Sequence, residues 1–282
     1  MKRLIPYICR VCGHLEWLVE GEPLPPDYSC SLCGARASAM KNIDDPVIVR
    51  QTVDAECIND GLWCLRKNPR YSREWEHVSY AIRTAAGGLV LFDPPPIFNA
   101  NVVDVIRSLG EPTHLILSHS DFVGCAQLVK ESLGLTVLMG ADEPLAGNRV
   151  EVDRRVTDIL QLGELTLCPL PGHSEGSIGA RFSLAGKRVL LAGDALAKWD
   201  HADGRVQVSV FQPPGQFSDQ LRRALQEETD TFCCCTGWLD DAGAALERLR
   251  ATQEPSARPY LAEPGGVWQA RDGSWRGGEG LV

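Results

Sequence analysis

Three times along this chain an apolar stretch stops at a small polar cluster beside glycine. LILSHSDFVG ends in Ser118, His119, Ser120 and Asp121, PLPGHSEGS carries His173, and LLAGDAL carries Asp194. A buried strand that ends in His or Asp delivers that group to the edge of a sheet, where loops leave an opening for a ligand. One such cluster is a weak sign, because a lone His at a strand end is more often simply hydrogen-bonded within its loop. Three in succession are a much stronger sign of a rigid sheet that presents ligands at one edge.

The intervening segments supply those strands and the helices between them. HVSYAIRTAAGGLVLFDPP reads as a hairpin turning at Gly87-Gly88, with alternating Val78, Tyr80 and Ile82 and then a continuous run from Leu89 to Phe92. NVVDVIRSLG has apolar residues at helical spacing and stops at Gly110, and AQLVKESLG is a second helix. LTVLMGAD, ILQLGELTLCPLPGH, ARFSLAGKRVLLAGDAL and TFCCCTGW provide further strands, while SDQLRRALQEE and DDAGAALERLRA are amphipathic helices. The alternation predicts layered α/β architecture, with helices covering mixed sheets. Three segments follow: a Cys-rich module over 1–44, the main domain over 45–252, and a Pro/Gly/Trp-rich extension over 253–282. Trp268 and Trp275 make that extension an arm expected to dock, for instance on another subunit of a homo-oligomer.

With 282 residues the chain is long enough for one large domain plus a small satellite. A net charge of −9 argues against nucleic acid or an anionic membrane surface as partner, since both need clustered Lys and Arg. No run reaches the roughly 18–20 apolar residues of a membrane span. The start has no apolar signal-peptide core before Cys9, so a cytoplasmic location is expected.

Eleven cysteines cannot all pair within the chain. In a reducing compartment their grouping matters more than their number. YICRVCGH sets Cys9 and Cys12 three apart before Gly13, and DYSCSLCGA repeats the arrangement with Cys30, Cys33 and Gly34. Each CxxC turn aims two thiolates at one point, and the glycine lets backbone amides approach the sulfurs. Two such knuckles close a tetrahedral four-sulfur site for Zn or Fe, without which so short a module could hardly fold. The other seven cysteines, Cys57, Cys64, Cys125, Cys168 and Cys233 to Cys235, are expected to be small buried hydrophobes.

The wording of the first module resembles rubredoxin: Tyr7 stands two before the first Cys, and Pro25-Pro26-Asp27-Tyr28-Ser29-Cys30 is similar to that family's approach to its second knuckle. The shorter inter-knuckle stretch, Tyr28 in place of Trp and Ser31 in place of Pro depart from the family, and keep structural Zn open beside redox-active Fe. Over about residues 46 to 250 the chain resembles the metallo-β-lactamase superfamily, on PGHSEGS, LLAGDAL, LFDPP and LILSHSDFVGC. That resemblance implies a sandwich of two mixed β-sheets flanked by helices, with a dinuclear metal site between the sheets. It also implies gaps. Leu117 and Phe122 stand where two ligand imidazoles would, and Trp238 where a third would.

What remains is His119, His173 and Asp194, with Asp121 beside them. One reading is a ligand- or partner-binding protein whose polar remnant holds no metal. A second is a hydrolase with one Zn or Fe on His119, His173 and Asp194 and Asp121 as the catalytic group that orients or deprotonates water. A third, by resemblance to flavodiiron enzymes, is redox chemistry fed by the four-cysteine module and a redox partner. Any small-molecule substrate would enter through loops near 55–76, 94–101 and 197–216. Their aromatics, Trp63, Tyr71, Trp75, Trp199, Phe211 and Phe217, either line an apolar mouth or pack those loops.

Overall fold

The computed structural model describes residues 3–10, 13–31, 34–68, 77–144, 150–200, 206–210, 218–251, 267–269 and 275–277. Cys12, Cys33, Tyr71, Trp75, Phe211 and Phe217 lie outside these residues, as do the side chains of Phe122, Trp199, Trp268 and Trp275. Among the described residues no helix is long and apolar enough to cross a membrane.

At the start β1 (Leu4–Cys9) pairs antiparallel with both β2 (Leu15–Val19) and β3 (Met40–Asn42). A single turn, α1 (Pro46–Val49), follows, with the Asp45 side chain accepting from the Val47 N–H. Then come β4 (Val53–Asn59), β5 (Leu62–Lys67), β6 (Ser79–Arg83), β7 (Gly88–Phe92), α2 (Ala100–Leu109), β8 (Glu111–Leu117), α3 (Ala126–Leu133), β9 (Thr136–Gly140) and β10 (Arg154–Val156). These strands lie side by side in chain order as one sheet, antiparallel from β4 to β7 and parallel from β7 to β10. Parallel neighbours need long crossovers, and α2 and α3 provide two of them on one face. Asn99 starts α2 by accepting from the Val102 N–H, and Gly110 ends it, as its sequence predicts.

The second half builds the facing sheet. Its elements are β11 (Leu160–Leu162), β12 (Leu165–Pro169), β13 (Ile178–Leu184), β14 (Lys187–Leu191), the ribbon β15 (Leu196–Asp200) and β16 (Val206–Val210), α4 (Asp219–Gln226), β17 (Thr231–Cys234), β18 (Gly237–Asp240) and α5 (Gly243–Ala251). The sheet order is β11-β12-β13-β14-β17-β18, with β14 and β17 parallel and the other pairs antiparallel. A hairpin of β19 (Val267–Gln269) and β20 (Trp275–Gly277) lies in the extension, which shows no strand period in the sequence.

Strand parity sorts the apolar runs into layers. Leu89, Leu91, Leu115, Leu117, Val137 and Met139 face α2 and α3 through Val102, Ile106 and Val129. The alternate residues Val90, Phe92, Ile116 and Leu138 meet Leu165, Leu167, Ile178, Ala180 and Leu191 of the second sheet. On its outer face, Leu190, Phe232 and Cys234 pack under Leu221 and Leu225 of α4 and Leu246 of α5. The layers therefore run helix, sheet, sheet, helix, as expected, and strands buried on both faces explain why their sequences are continuous apolar runs rather than alternations.

Several expectations are corrected. Most of 55–67 is the β4–β5 hairpin, and 197–216 contains the β15–β16 ribbon, so neither is simply a loop. Trp63 is a core residue of the helix-side layer, with the Arg83 guanidinium 4.7 Å from its ring centroid. Of the seven scattered cysteines, five are buried, but Cys168 is half-buried and Cys57 exposed on β4.

Candidate metal centre

The two sheets are stitched together where the polar clusters lie. Asp93, immediately after β7, sits at φ 62° and is 3% exposed. Its Oδ1 accepts from the Ser118 N–H at 2.7 Å, and the Ser118 carbonyl accepts from the Ile178 N–H at 2.9 Å. Gly193, at φ 53°, presses on the same point; a Cβ there would come within 2.5 Å of the Ser118 Cβ. That contact requires the glycine of the LLAGDAL motif and seats Asp194 beside His119.

His119 is 1% exposed, and its Nδ1 lies 2.9 Å from the Ser118 Oγ. Its Nε2 approaches Asp194 Oδ2 at 3.5 Å and Asp121 Oδ2 at 4.0 Å. His173 approaches the same carboxylates at 4.0 Å and 3.2 Å, and the two imidazoles meet edge to face with centroids 4.7 Å apart. One ligand atom each from His119, His173 and Asp194 lies within 4.8 Å of the others. Asp121 stands at the rim, with its side chain 36% exposed.

Burial drives the electrostatics. It pushes His119 down to about 3, helped by the positive charge that His173 can carry, so His119 is neutral at physiological pH. It pushes Asp194 up to about 6, against the pull of His173. For Asp121, burial also opposes charge, but the His173 hydrogen bond and the imidazoles of His119, His173 and His14 together hold it below the ordinary carboxylate range.

Burial pushes Asp93 up to about 7 despite its hydrogen bonds from Ser118. The folded chain therefore keeps a proton that the unfolded chain releases. The resulting stability is complete below the ordinary carboxylate range and is lost as pH rises through 7. The interval from 3.8 to about 7 corresponds to about 4 kcal/mol. Asp93→Asn removes this dependence and suits a residue at positive φ. On metal-free protein, urea unfolding should shift in the variant's favour by up to about 4 kcal/mol between pH 4 and pH 8. A difference that stays constant with pH would contradict this.

The gaps have distinct fates. Leu117 is fully buried in the helix-side layer, where burying such a side chain contributes roughly 1.5–3 kcal/mol, so β8 parity turns that position away from the sheet edge. Trp238 packs on the inter-sheet core opposite Cys233. The Phe122 side chain lies outside the described residues.

Three groups escape sequence reading. His77 is 4% exposed and near enough for its charge to act on His119; nothing in EHVSY marks it. His14 stands near Asp121 from the first module. Glu143, 3% exposed, follows β9 and ties the two histidine loops together. It accepts from the Ser120 N–H at 2.8 Å with one oxygen and from the Ser174 hydroxyl with the other. The signal available was a fourth carboxylate after an apolar strand, in LTVLMGADE. Glu143→Gln turns an amide N–H₂ toward one of these donors and should cost about 1–3 kcal/mol in urea unfolding; a loss below about 0.5 kcal/mol would remove Glu143 from this role.

In the first module, Cys9 and Cys30 are buried together against Met40. Their turns are equivalent: Gly13 N–H donates to the Cys9 carbonyl and Gly34 N–H to the Cys30 carbonyl, both at 2.9 Å, while the Cys9 and Cys30 amides donate to the His14 and Ala35 carbonyls. Cys12 and Cys33 lie outside the described residues.

No protein-family model matches the chain, and no curated protein does. Solved structures do match in fold. The metallo-β-lactamase DIM-1 superposes with a TM-score of 0.54 at 13% identity, covering 71% of this chain and 95% of that one. VMB-1 gives 0.54 at 12% identity, and TMB-1 gives 0.52 at 17%, with the same coverage. At such identities the likeness establishes the fold, a metallo-β-lactamase-like sandwich.

Proposed function

We propose that this chain is a metal-dependent hydrolase with a single metal at the sheet edge, held by His119, His173 and Asp194. The convergence of their ligand atoms within 4.8 Å is the observation that carries the reading. The donor set fits as well: two imidazoles and one carboxylate, with positions left open, suit hydrolytic Zn or Fe(II). A buried carboxylate pushed up to about 6 is one whose charge a cation would stabilise. The metal would supply a Lewis acid that brings water's pKa near neutrality.

The chain's own residues account for the rest. Ser118 Oγ engages His119 Nδ1, which fixes the ring with Nε2 toward Asp194 at 3.5 Å. His173 Nε2 donates to Asp121 Oδ2 at 3.2 Å, so metal uptake at that nitrogen would replace this hydrogen bond. Asp121, at the rim, then accepts from water or substrate. Cys9, Cys12, Cys30 and Cys33 form a separate Zn or Fe site in this proposal, supported by the equivalent Cys9 and Cys30 turns.

Elemental analysis of purified protein should find two metals per chain, and a panel of esters, lactones, thioesters and phosphodiesters should reveal a substrate class. Unchanged metal content and activity in both His119→Ala and His173→Ala would sink the hydrolase reading. A redox role is the second reading, favoured by the docking of the first module on the sheet edge, where a Cβ on Gly124 would lie 3.1 Å from the Gly13 carbonyl oxygen. Colourless protein with zinc in the four-cysteine site would end it.

A further inference from the structure

The first module is seated on the sheet edge by backbone contact. Gly13, at φ 74°, leaves no room for a side chain, since a Cβ would fall 2.6 Å from the Pro96 carbonyl oxygen. Gly124, in the loop that follows Asp121, faces the Gly13 carbonyl in turn. Lys67, 2% exposed on β5, donates to the Arg10 carbonyl at 2.6 Å and fastens the same turn from the other side. The residue after Gly13 is therefore held in place by two modules.

That residue is His14, and its tautomer follows from its partners. The Glu16 carboxylate, which can only accept, receives the Tyr28 hydroxyl, the Ser31 N–H at 3.0 Å and the Ser31 hydroxyl at 2.9 Å. The Ser31 proton is thus committed to Glu16, and Ser31 Oγ must accept from His14 Nε2 at 3.1 Å. This puts the imidazole proton on Nε2 and leaves Nδ1 with a lone pair. His14 Nδ1 is buried and has no hydrogen-bond partner among the described residues. The residue's backbone lies against the loop that carries Asp121, since a Cβ on Gly124 would come 4.0 Å from the His14 Cα. A buried acceptor left unmatched costs about 1–3 kcal/mol, which a bound donor recovers.

We propose that His14 is a binding residue of the sheet-edge site: its Nδ1 and the Asp121 carboxylate form an acceptor pair, contributed by two modules, for an N–H or O–H group of the bound ligand. This rests on the metal reading above and narrows the substrate class to molecules that carry a hydrogen-bond donor next to the group held at the metal. The full chain loaded with two equivalents of Zn²⁺ tests it, with acetohydroxamate as a donor-bearing probe and its N-methyl analogue as a probe without the donor. Long-range ¹H–¹⁵N spectra should show His14 protonated at Nε2, and acetohydroxamate should shift its Nδ1 resonance. His14→Leu should weaken acetohydroxamate about tenfold without changing the zinc count or the affinity for the N-methyl analogue, while His14→Gln, whose amide oxygen restores an acceptor, should recover most of the loss. An Nδ1-protonated ring, or a His14→Leu chain that binds both probes like the wild type, overturns the assignment. A chain that holds zinc at the cysteines alone and binds neither probe overturns the metal reading and this inference with it, whereas two zinc ions with no discrimination between the probes overturns only the inference.

Discussion

Exchanging His119 for Ala should lower the metal content from two equivalents per chain to one and weaken metal binding at the sheet edge by at least about 100-fold. His119 is the most enclosed member of the trio, at 1% exposure, and is held neutral by burial that pushes it down to about 3. Leu117, two residues before it, is turned into the helix-side core and offers no ligand atom. The variant should fold, since the Asp93–Ser118 and Ser118–Ile178 bonds do not involve the imidazole. The cavity it opens costs stability, so metal analysis is best paired with circular dichroism. Retention of both equivalents at wild-type affinity by a folded variant would mean that the trio does not hold the second metal.

Gly140→Ala should be the most destabilising glycine-to-alanine change among the described residues, on the order of 3 kcal/mol or more. Gly140 ends β9, and a Cβ there would lie 1.8 Å from the Gly176 carbonyl oxygen. Gly176 is itself pressed on the next turn, where its own Cβ would fall 2.3 Å from the Glu143 backbone nitrogen. Both obstacles are backbone, so no rotamer change relieves them. The two glycines interlock the segment carrying Glu143 with the segment carrying His173, so the variant should also lose metal affinity. Gly243→Ala, at the start of α5 with only the Thr229 carbonyl at 4.0 Å, is the control and should be near neutral. If urea unfolding places Gly140→Ala within about 1 kcal/mol of the wild type, the interlock is not what orders this edge.

The local features of this protein could be read from the chain because their causes are local. Apolar runs such as Leu89 to Phe92 report strands buried on both faces, Asn99 and Gly110 bracket α2 by capping and stopping it, and each member of the trio lies in the loop that follows a strand. The layer order followed too, since helices between parallel strands must cross over one face.

Other features depend on contacts between residues far apart in sequence. Strand parity sent Leu117 to the helices and Ile116 between the sheets, and a one-residue change of register would reverse both. Glu143 reaches loops 23 and 31 residues away, and His14 comes to lie beside the loop after Asp121 because Gly13 fits against Pro96 and Gly124. A sequence names the donors and acceptors, but long-range packing pairs them, and here that packing decides which of six histidines surround one buried aspartate.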